Sequence, residues 1–285
     1  MSYIVHGATG AQGSPVLSAL RAAGEHAVAA VRTAANVPGD AVAVDLADPD
    51  SLAAAYTGAD GVFVHLPMST HDQGGAQAEA IAAAVGAARP KRVVVSTSGA
   101  VVDRPGSPLQ LPESAPVAVL IRGVTATGVP TSVVAPRLYL ENLLVPVIAD
   151  SVRKEGVLRY PLPADLPVSW SSHLDVAEAA VRLLTGTGGT GTVAIGHLPG
   201  LTGTDLAAAF AEHLGREVRY EAITPEAFGE LITPLFGPGA AAPVVGAYRA
   251  MNARSANTIG EENSAQKLLG LVPRPLARWL GDLGV

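Results

Sequence analysis

The sequence predicts an α/β fold in which a doubly wound parallel sheet carries a smaller α+β cap at its C-terminal end. The chain opens with a short apolar strand that runs directly into three evenly spaced glycines and an amphipathic helix. Apolar strands then alternate with helical stretches through the first half, which is the pattern of a parallel sheet with helical crossovers. Beyond residue 200, short helices separated by glycine and proline replace that alternation.

The first strand and its glycines predict a nucleotide-binding turn. After Tyr3–Val5, the spacing Gly-x-x-Gly-x-x-Gly is formed by Gly7, Gly10 and Gly13. A helix N-terminus has unpaired N–H groups and a positive dipole, so a pyrophosphate binds there when no Cβ blocks its approach. Because glycine lacks that atom, the motif predicts a Rossmann turn that binds a dinucleotide.

Apolar runs and capping residues predict the next elements in chain order. Asp48 before Pro49 is typical of a helix N-cap followed by proline at the first helical position. Asp72 is expected to begin an alanine-rich helix that ends near Ala88. The strands expected in this part of the chain are Val28–Val31, Ala41–Val44, Gly61–Val64, Arg92–Ser96 and Thr131–Ala135.

The pattern changes after Pro136. Leu143–Val152 is predicted to be helical, and a second helix at His173–Thr185 leads into a strand at Thr192–Ile195. One later strand is expected near Glu217–Ala222.

These elements predict how the chain is organised. Residues 1–150 are expected to form the dinucleotide-binding Rossmann domain, and residues 173–198 are expected to return to it. The remaining segments, 151–172 and 199–285, are expected to form a cap on the substrate side.

Composition and charge exclude several classes of protein. With a formal net charge of −6, the chain offers no basic surface to a nucleic acid. It has no cysteine, which excludes disulfides and thiolate nucleophiles and is compatible with a reducing cytoplasm. The uncharged run Leu231–Tyr248 contains three prolines and is expected to be a buried cap segment rather than a membrane helix. We therefore expect a cytoplasmic monomer or homodimer that binds a small molecule.

Other motifs indicate no competing chemistry. His65 and His71 lack the His-Glu-x-x-His pattern, so no metal site is predicted. The chain has neither the Gly-x-Ser-x-Gly elbow of α/β-hydrolases nor a P-loop. The basic residues Arg89, Lys91 and Arg92 lie where a helix should end, and they are expected to be structural.

The residue after the second strand favours NADP over NAD. NAD sites usually have a carboxylate there for the ribose 2′-hydroxyl, whereas this chain has Arg32, whose guanidinium suits a 2′-phosphate. A solvated arginine at a strand end is the alternative. Asp45, with Leu46, follows the third strand and is equally well explained as an acceptor for the adenine amine or as a turn residue.

The ends of the fourth and fifth strands provide further candidate cofactor contacts. Ligands of open α/β sheets lie at the carboxyl edge of the strands. The residues at that edge, expected to flank the nicotinamide half, are His65, Leu66, Pro67, Ser96, Thr97 and Ser98.

Four segments resemble the NmrA-like family of atypical short-chain dehydrogenase/reductases. They are GATGAQG at Gly7–Gly13, VAVDLADPDSL at Val42–Leu52, VVVSTSG at Val93–Gly99 and APRLYLENLL at Ala135–Leu144. The resemblance implies a Rossmann fold that binds NADP, with the cofactor phosphates on Gly7, Thr9, Gly10, Gln12, Gly13 and Arg32; Ala11 of the same turn is grouped with them. That family includes NADPH-dependent reductases of quinones and aromatic substrates, and also redox-sensing regulators.

The usual proton relay of the wider superfamily is missing. Its Tyr-x-x-x-Lys pair has no counterpart, because none of the six tyrosines has a lysine four residues later. Reductases of the NmrA-like group often have a lysine on the helix after the fifth strand, where this chain has Val117. A reductase of this sequence would therefore need another proton donor, or water.

The candidate catalytic residues are Tyr139, Asn142 and His173. Tyr139 follows the sixth strand, where it could hydrogen-bond a carbonyl or fill the core. Asn142, one helical turn later, could orient a ligand or the backbone. His173 follows Ser172 in a capping-box pattern, where we expect an exposed, neutral imidazole. This imidazole either donates a proton or is only a structural residue beside the helix N-cap.

Two functions remain open from the sequence. The first is an NADPH-dependent reductase that transfers hydride to a small, largely apolar carbonyl, enone, imine or quinone. Its expected substrate contacts are Met68, Ser98, Tyr139, Trp170, His173, Phe236 and Met251. The second is a non-enzymatic NADP(H) sensor, which the missing lysine favours. An epimerase or lyase ranks last, because those relatives use the tyrosine–lysine pair.

Overall fold

A computed structural model describes residues 2–186 and 189–284 of the chain. Apolar β-branched runs form its strands, which are β1 (Tyr3–His6), β2 (Ala27–Val31), β3 (Ala41–Ala43), β4 (Gly61–Val64), β5 (Val93–Ser96), β6 (Thr131–Pro136), β7 (Leu138–Tyr139), β8 (Val157–Tyr160), β9 (Trp170–Ser171), β10 (Gly191–Ile195) and β11 (Arg219–Ala222).

Helices connect these strands and form most of the C-terminal part. They are α1 (Gly13–Ala22), α2 (Pro49–Tyr56), α3 (His71–Ala88), α4 (Pro116–Ala126), α5 (Pro146–Glu155), α6 (His173–Thr185), α7 (Gly203–Leu214), α8 (Pro225–Phe236), α9 (Pro238–Asn252), α10 (Ala265–Leu269) and α11 (Leu276–Leu283). Two short 3₁₀ helices cover Ala34–Asn36 and Leu140–Leu144.

The predicted fold class is confirmed. Within the described ranges, a seven-stranded parallel sheet has the order β10-β6-β5-β4-β1-β2-β3. Its central strands are buried on both faces, which explains why they read as continuous apolar runs. The strand order reverses at β1, which lies between β2 and β4. In open α/β sheets, ligands bind at that point.

Two apolar layers cover the faces of the sheet. On one face, α1 and α6 contact each other and bury Val16, Leu20 and Leu183. On the other face, α2, α3 and α4 pack in a row and bury Leu52, Ile81 and Leu120. The sheet edge that bears the glycine turn is thereby held between two rigid helical layers.

A third apolar cluster lies in the C-terminal half. It joins the parallel pair β8 and β11 to helices α5, α7, α8, α9 and α11. At its centre, the Tyr160 ring makes edge contacts with Trp170 and Tyr248, with ring centroids 5.4 and 5.5 Å apart. The predicted strand near Glu217–Ala222 is confirmed as β11.

Helix boundaries depart from the sequence prediction where caps decide them. Helix α3 begins at His71 rather than Asp72, because the Thr70 side chain accepts the Gln73 N–H and Gln73 returns a hydrogen bond to the Thr70 backbone. The helix expected at Leu143–Val152 is two elements, since Pro146 begins α5 after the 3₁₀ helix.

The uncharged run Leu231–Tyr248 forms parts of α8 and α9, which meet at Gly237. The expectation that it is buried holds for one face only, because Leu235 and Phe236 are exposed. In the described part of the chain, no helix is both long and apolar enough to cross a membrane.

The basic residues Arg89, Lys91 and Arg92 have structural partners, as expected. Arg89 ends α3 in a left-handed conformation and binds the Thr127 carbonyl. The Lys91 ammonium pairs with Asp60 at 2.6 Å, and Arg92 donates to the carbonyls of Leu183 and Gly186.

Trp170 corrects one of the predicted substrate contacts. The sequence placed it in the substrate pocket, but its side chain is only 1% exposed and packs in the third cluster. The neighbouring Ser169 and Ser171 are also fully buried, so β9 runs through the interior.

Replacing Trp170→Ala should lower the free energy of unfolding by about 3–5 kcal/mol, because it leaves a large cavity in the third cluster. Phe236→Ala is the control, since that ring is 52% exposed and its loss should change stability by about 0.5 kcal/mol or less. Urea unfolding measures both. Equal effects would contradict a structural role for Trp170.

Candidate functional site

The turn between β1 and α1 brings bare backbone to the sheet edge. Gly10 N–H donates to the Gly7 carbonyl at 2.8 Å, and Gly7 has a φ of +58°. A Cβ on Gly13 would lie 2.3 Å from the carbonyl oxygens of both His6 and Gly7, so only glycine fits.

The same turn has the geometry that a pyrophosphate requires. Among the residues that the structure describes, no side chain caps the N-terminus of α1, and Thr9, Gly10 and Ala11 are exposed in front of it. Free N–H groups at a helix N-terminus attract an anion.

Gln12 links the glycine turn to two other strands. Its side-chain oxygen accepts hydrogen bonds from the Ser96 hydroxyl at 2.9 Å and the Tyr139 hydroxyl at 3.0 Å. Its amide nitrogen donates to the Ser98 hydroxyl at 3.0 Å. The Gln12 side chain thus bridges the turn to the ends of β5 and β7. The phosphate contact that the resemblance implied for Gln12 stays a prediction.

Ser98 holds an unusual backbone conformation at this bridge. Its φ is +55°, in the left-handed region that residues with a Cβ rarely adopt. The Ser98 N–H donates to the Ser96 hydroxyl at 3.2 Å, and the next residue, Gly99, also has a positive φ. Strained backbone of this kind often occurs at functional sites.

His65 packs against the glycine turn. A Cβ on Gly7 would lie 2.2 Å from His65 Nε2, so the imidazole lies directly on that glycine. Burial lowers the pKa of His65, and its Nε2 has no hydrogen-bond partner among the described residues. The neutral ring therefore places a free nitrogen between the turn and the end of β4. Leu66 and Pro67 follow it at the same edge.

The Tyr139 and His173 rings are in contact, with centroids 4.3 Å apart and their planes tilted by 52°. Burial raises the pKa of the Tyr139 phenol, so it stays protonated at neutral pH. Burial also lowers the pKa of His173 to about 4. The neutral imidazole agrees with the sequence prediction, but the prediction that it is exposed is wrong, because its side chain is 13% exposed.

Glu141 contacts His173, and no role was predicted for it from the sequence. One carboxylate oxygen accepts the His173 backbone N–H at 3.0 Å and the Trp279 indole N–H at 3.2 Å. The other oxygen lies 3.8 Å from His173 Nδ1. Burial raises the pKa of this carboxyl group. Glu141 lies in the Ala135–Leu144 segment, but its contacts depend on α6 and α11.

Beside the Gln12 bridge lies a cavity of about 540 Å³. The loop after β5 and the end of β7 form one wall, and helices α8 and α9 form the other. Of the predicted residues, the cavity is lined by Met68, Ser98, Tyr139, Asn142, Phe236 and Met251. Trp170 and His173 do not line it. We call this space the apolar cavity, because most of its other lining residues are aliphatic or aromatic.

Three of the predicted cofactor contacts differ in whether their side chains already have a hydrogen-bond partner. Arg32 is exposed at the end of β2, and its side chain makes no hydrogen bond or ion pair within residues 2–186 and 189–284. Asp45 accepts the Ala47 N–H at 2.9 Å, as the turn interpretation expects. Thr97 is buried, and its hydroxyl has no partner among the described residues.

Comparison with known proteins identifies related sequences. The model of the NmrA-like family matches residues 2–268. An NAD(P)H azoreductase from Xenophilus azovorans is 34% identical over 82% of this chain and 82% of its own. A (4-alkanoyl-5-oxo-2,5-dihydrofuran-3-yl)methyl phosphate reductase from Streptomyces griseus is 29% identical over 98% and 96% of the two chains.

A solved structure with the same fold is triphenylmethane reductase from Citrobacter sp. It superposes with a TM-score of 0.82 at 20% identity, over 99% of each chain. That reductase has also been solved in complex with NADP(H).

Replacing His173→Phe should reduce the loss of stability in acid. The His173 pKa is about 4 in the folded chain, against 6.5 for an unperturbed histidine, so between these pH values only the unfolded state takes the proton. Stability due to this group is therefore complete above pH 6.5 and lost as the pH falls toward 4. Phenylalanine keeps the ring contact with Tyr139 and binds no proton.

Urea unfolding across this pH range measures the slope of the free energy of unfolding against pH. That slope should be smaller in the variant, by up to about 1.4 kcal/mol per pH unit. His71→Phe, at an exposed position, is the matched control and should leave the slope unchanged. A His173→Phe slope equal to that of the native chain would contradict a buried neutral imidazole.

Proposed function

The chain belongs to the NmrA-like family, and on that premise we propose that it is an NADPH-dependent reductase of a small, largely apolar acceptor. The acceptor classes we propose are a carbonyl, an enone, an imine or a quinone. The three relatives described above are named as reductases, which supports the reaction class.

One observation carries this proposal: the apolar cavity adjoins the glycine turn. Ser98 and Tyr139 line the cavity, and both are hydrogen-bonded to Gln12 of the turn. A dinucleotide held by the turn would therefore reach the cavity with its far end. The volume of about 540 Å³ is typical of sites for small molecules.

The cofactor contacts we propose follow from the positions of the side chains. The turn from Gly7 to Gly13 would hold the pyrophosphate on free N–H groups, and exposed Arg32 would pair with the 2′-phosphate. His65, Leu66 and Ser98 would flank the nicotinamide at the sheet edge. When bound, NADPH supplies a hydride, which needs only an electrophilic carbon or nitrogen held in contact.

Tyr139 is the residue we propose as the hydrogen-bond donor to the substrate. The Tyr139 side chain lines the cavity, and its raised pKa keeps the proton in place at neutral pH. Its O–H, which donates to Gln12 at 3.0 Å, would exchange that acceptor for the substrate. It would stabilise the negative charge that develops on the acceptor atom, while water supplies the proton that completes the reduction. Asn142 lines the same cavity and offers a second polar contact.

His173 is proposed as a positioning residue rather than the proton donor. It lies behind the Tyr139 ring, away from the cavity, and a group with a pKa of about 4 carries no acidic proton at neutral pH. Its backbone bond to Glu141 fixes the start of α6. The imidazole, in contact with the Tyr139 ring, would then limit the rotation of that ring.

The alternative function is a dinucleotide sensor without turnover. Val117, the second residue of α4, stands where the family resemblance implies a lysine in related reductases, and this favours the sensor. The apolar cavity favours the enzyme, because a sensor has no need for a substrate-sized space beside the nicotinamide site.

The first experiment is NADPH consumption by the purified protein with quinones, enones, aldehydes and imines, after NADPH binding has been measured by titration. Saturable turnover of any class supports the reductase and identifies the acceptor chemistry. Tight NADPH binding without turnover across the panel favours the sensor.

Tyr139→Phe tests whether turnover depends on the cavity. Loss of the phenol should lower kcat by about tenfold to hundredfold with little change in NADPH affinity, since a hydrogen bond to the developing charge is removed. Tyr220→Phe, whose hydroxyl binds the Leu162 carbonyl outside the cavity, is the control and should retain activity. An active Tyr139→Phe would remove Tyr139 from the mechanism.

Arg32→Ala tests the preference for NADPH. Removing the guanidinium should weaken NADPH binding by about tenfold to hundredfold, the usual range for a charged hydrogen bond, and leave NADH binding nearly unchanged. Titration with both dinucleotides measures this difference. Equal losses for the two would contradict the assignment of Arg32 to the 2′-phosphate.

A further inference from the structure

A second cavity adjoins the apolar cavity and has a different character. It also measures about 540 Å³, and it lies between the loop after β5 and the segment after α9. Four residues line both cavities, namely Val101, Leu109, Arg137 and Asn257. The other residues of the second cavity are mostly polar or charged, and include Arg104, Ser107, Arg254 and Thr258. We call it the arginine cavity.

Arg137 forms the wall between the two cavities, and one of its nitrogens is unused. Its Nη2 donates to both carboxylate oxygens of Asp103, at 2.6 and 2.8 Å. Asp103 is held in place by the Asn263 amide at 2.8 Å. Arg137 is only 3% exposed, and its Nη1 has no hydrogen-bond partner among the described residues.

A buried guanidinium nitrogen without an acceptor is costly. Leaving a charged donor unpaired costs more than leaving a neutral donor unpaired, and buried polar groups in folded proteins nearly always have partners. Asp103 occupies only the Nη2 side of the fork. Nη1 therefore offers a hydrogen bond to an acceptor that the described chain does not provide.

The charge of the arginine cavity is opposite to that of the whole chain. Arg104, Arg137 and Arg254 line it, whereas Asp103 is the one carboxylate among its described lining residues. The lining is thus net positive in a chain with a formal charge of −6. Arg104 binds the Thr258 carbonyl at 2.9 Å. The exposed Arg254 side chain makes no hydrogen bond or ion pair with described residues.

We propose that the arginine cavity binds an anionic group on the substrate, while the apolar body of the same molecule occupies the apolar cavity. The ligand class is a phosphate, sulfonate or carboxylate attached to the acceptor, because a guanidinium fork matches the oxygens of these groups. This inference rests on the proposed function, since it treats the apolar cavity as the substrate site. In this arrangement, Arg254 and Arg104 would determine specificity for the anionic group. Arg137 would be the arginine nearest the apolar body of the substrate.

The test compares two fluorescent probes that share one apolar body. These are 8-anilinonaphthalene-1-sulfonate, which is anionic, and neutral N-phenyl-1-naphthylamine. Binding is measured with saturating NADP⁺ present, so that the glycine turn does not bind the sulfonate. We expect the anionic probe to bind more tightly than the neutral probe to the native protein.

Arg254→Gln should weaken binding of the anionic probe by about threefold to tenfold, because an exposed charged contact is lost. The neutral probe should be unaffected. Adding Arg104→Gln should increase the loss. Arg182→Gln is the matched control, since it removes the same charge from an exposed position on α6 that lines neither cavity. Equal binding of both probes to the native protein, or an unchanged anionic probe in Arg254→Gln, would overturn the inference.

Inorganic phosphate distinguishes an anion on the substrate from a free one. If the anion belongs to the substrate, phosphate displaces the sulfonate probe only weakly and does not displace the neutral probe. If phosphate binds tightly by itself and both probes bind equally, the cavity holds a free anion, and the link to the substrate is wrong.

The probe assay needs no turnover, so the two proposals fail separately. If the anionic probe binds more tightly than the neutral one but no reductase activity is found, the anion site is supported and the reductase proposal is rejected. If the protein is an active reductase but binds both probes equally, the reductase proposal is supported and the anion site is rejected.

Discussion

The structure depends on the close approach of Gly13 to the backbone that leaves β1. The carbonyls of His6 and Gly7 occupy the space that any Cβ at this position would fill. This contact sets where α1 begins and points its N-terminus at the sheet edge. It also sets the position of Gln12, and therefore the bridge to Ser96, Ser98 and Tyr139. One steric constraint thus connects the nucleotide turn to the wall of the apolar cavity.

The local sequence predicted the elements well, because strand and helix signals are short-range. The parallel sheet followed from alternating apolar runs, and the cap of α6 from Ser172 and Asp175. The errors involve contacts between distant segments. Trp170 was placed in the substrate pocket, although β9 runs through the interior. His173 was placed there too, although its ring packs against Tyr139 and does not line the cavity. Arg137 and Glu141 received no role, because their partners Asp103 and Trp279 come from other parts of the chain.

Burial, rather than neighbouring charge, sets the ionisation of the site. It is the leading cause of the lowered pKa of His6, His65 and His173 and of the raised pKa of Tyr139 and Glu141. The histidines are therefore neutral at physiological pH. These three histidines and the Tyr139 phenol thereby carry no charge beside the glycine turn and the apolar cavity, whereas the lining of the neighbouring arginine cavity is net positive.

The two walls of the apolar cavity have different origins. The loop after β5 and the end of β7 are tied to the nucleotide turn, whereas α8 and α9 pack on each other and on the third apolar cluster. Phe236 and Met68 lie at the exposed margin, and Met68 is 93% exposed. Substitutions on the helical wall can therefore change the shape of the cavity without disturbing the turn. In evolutionary terms, a mutation that alters ligand preference on the helical wall need not alter the backbone on which a dinucleotide would bind.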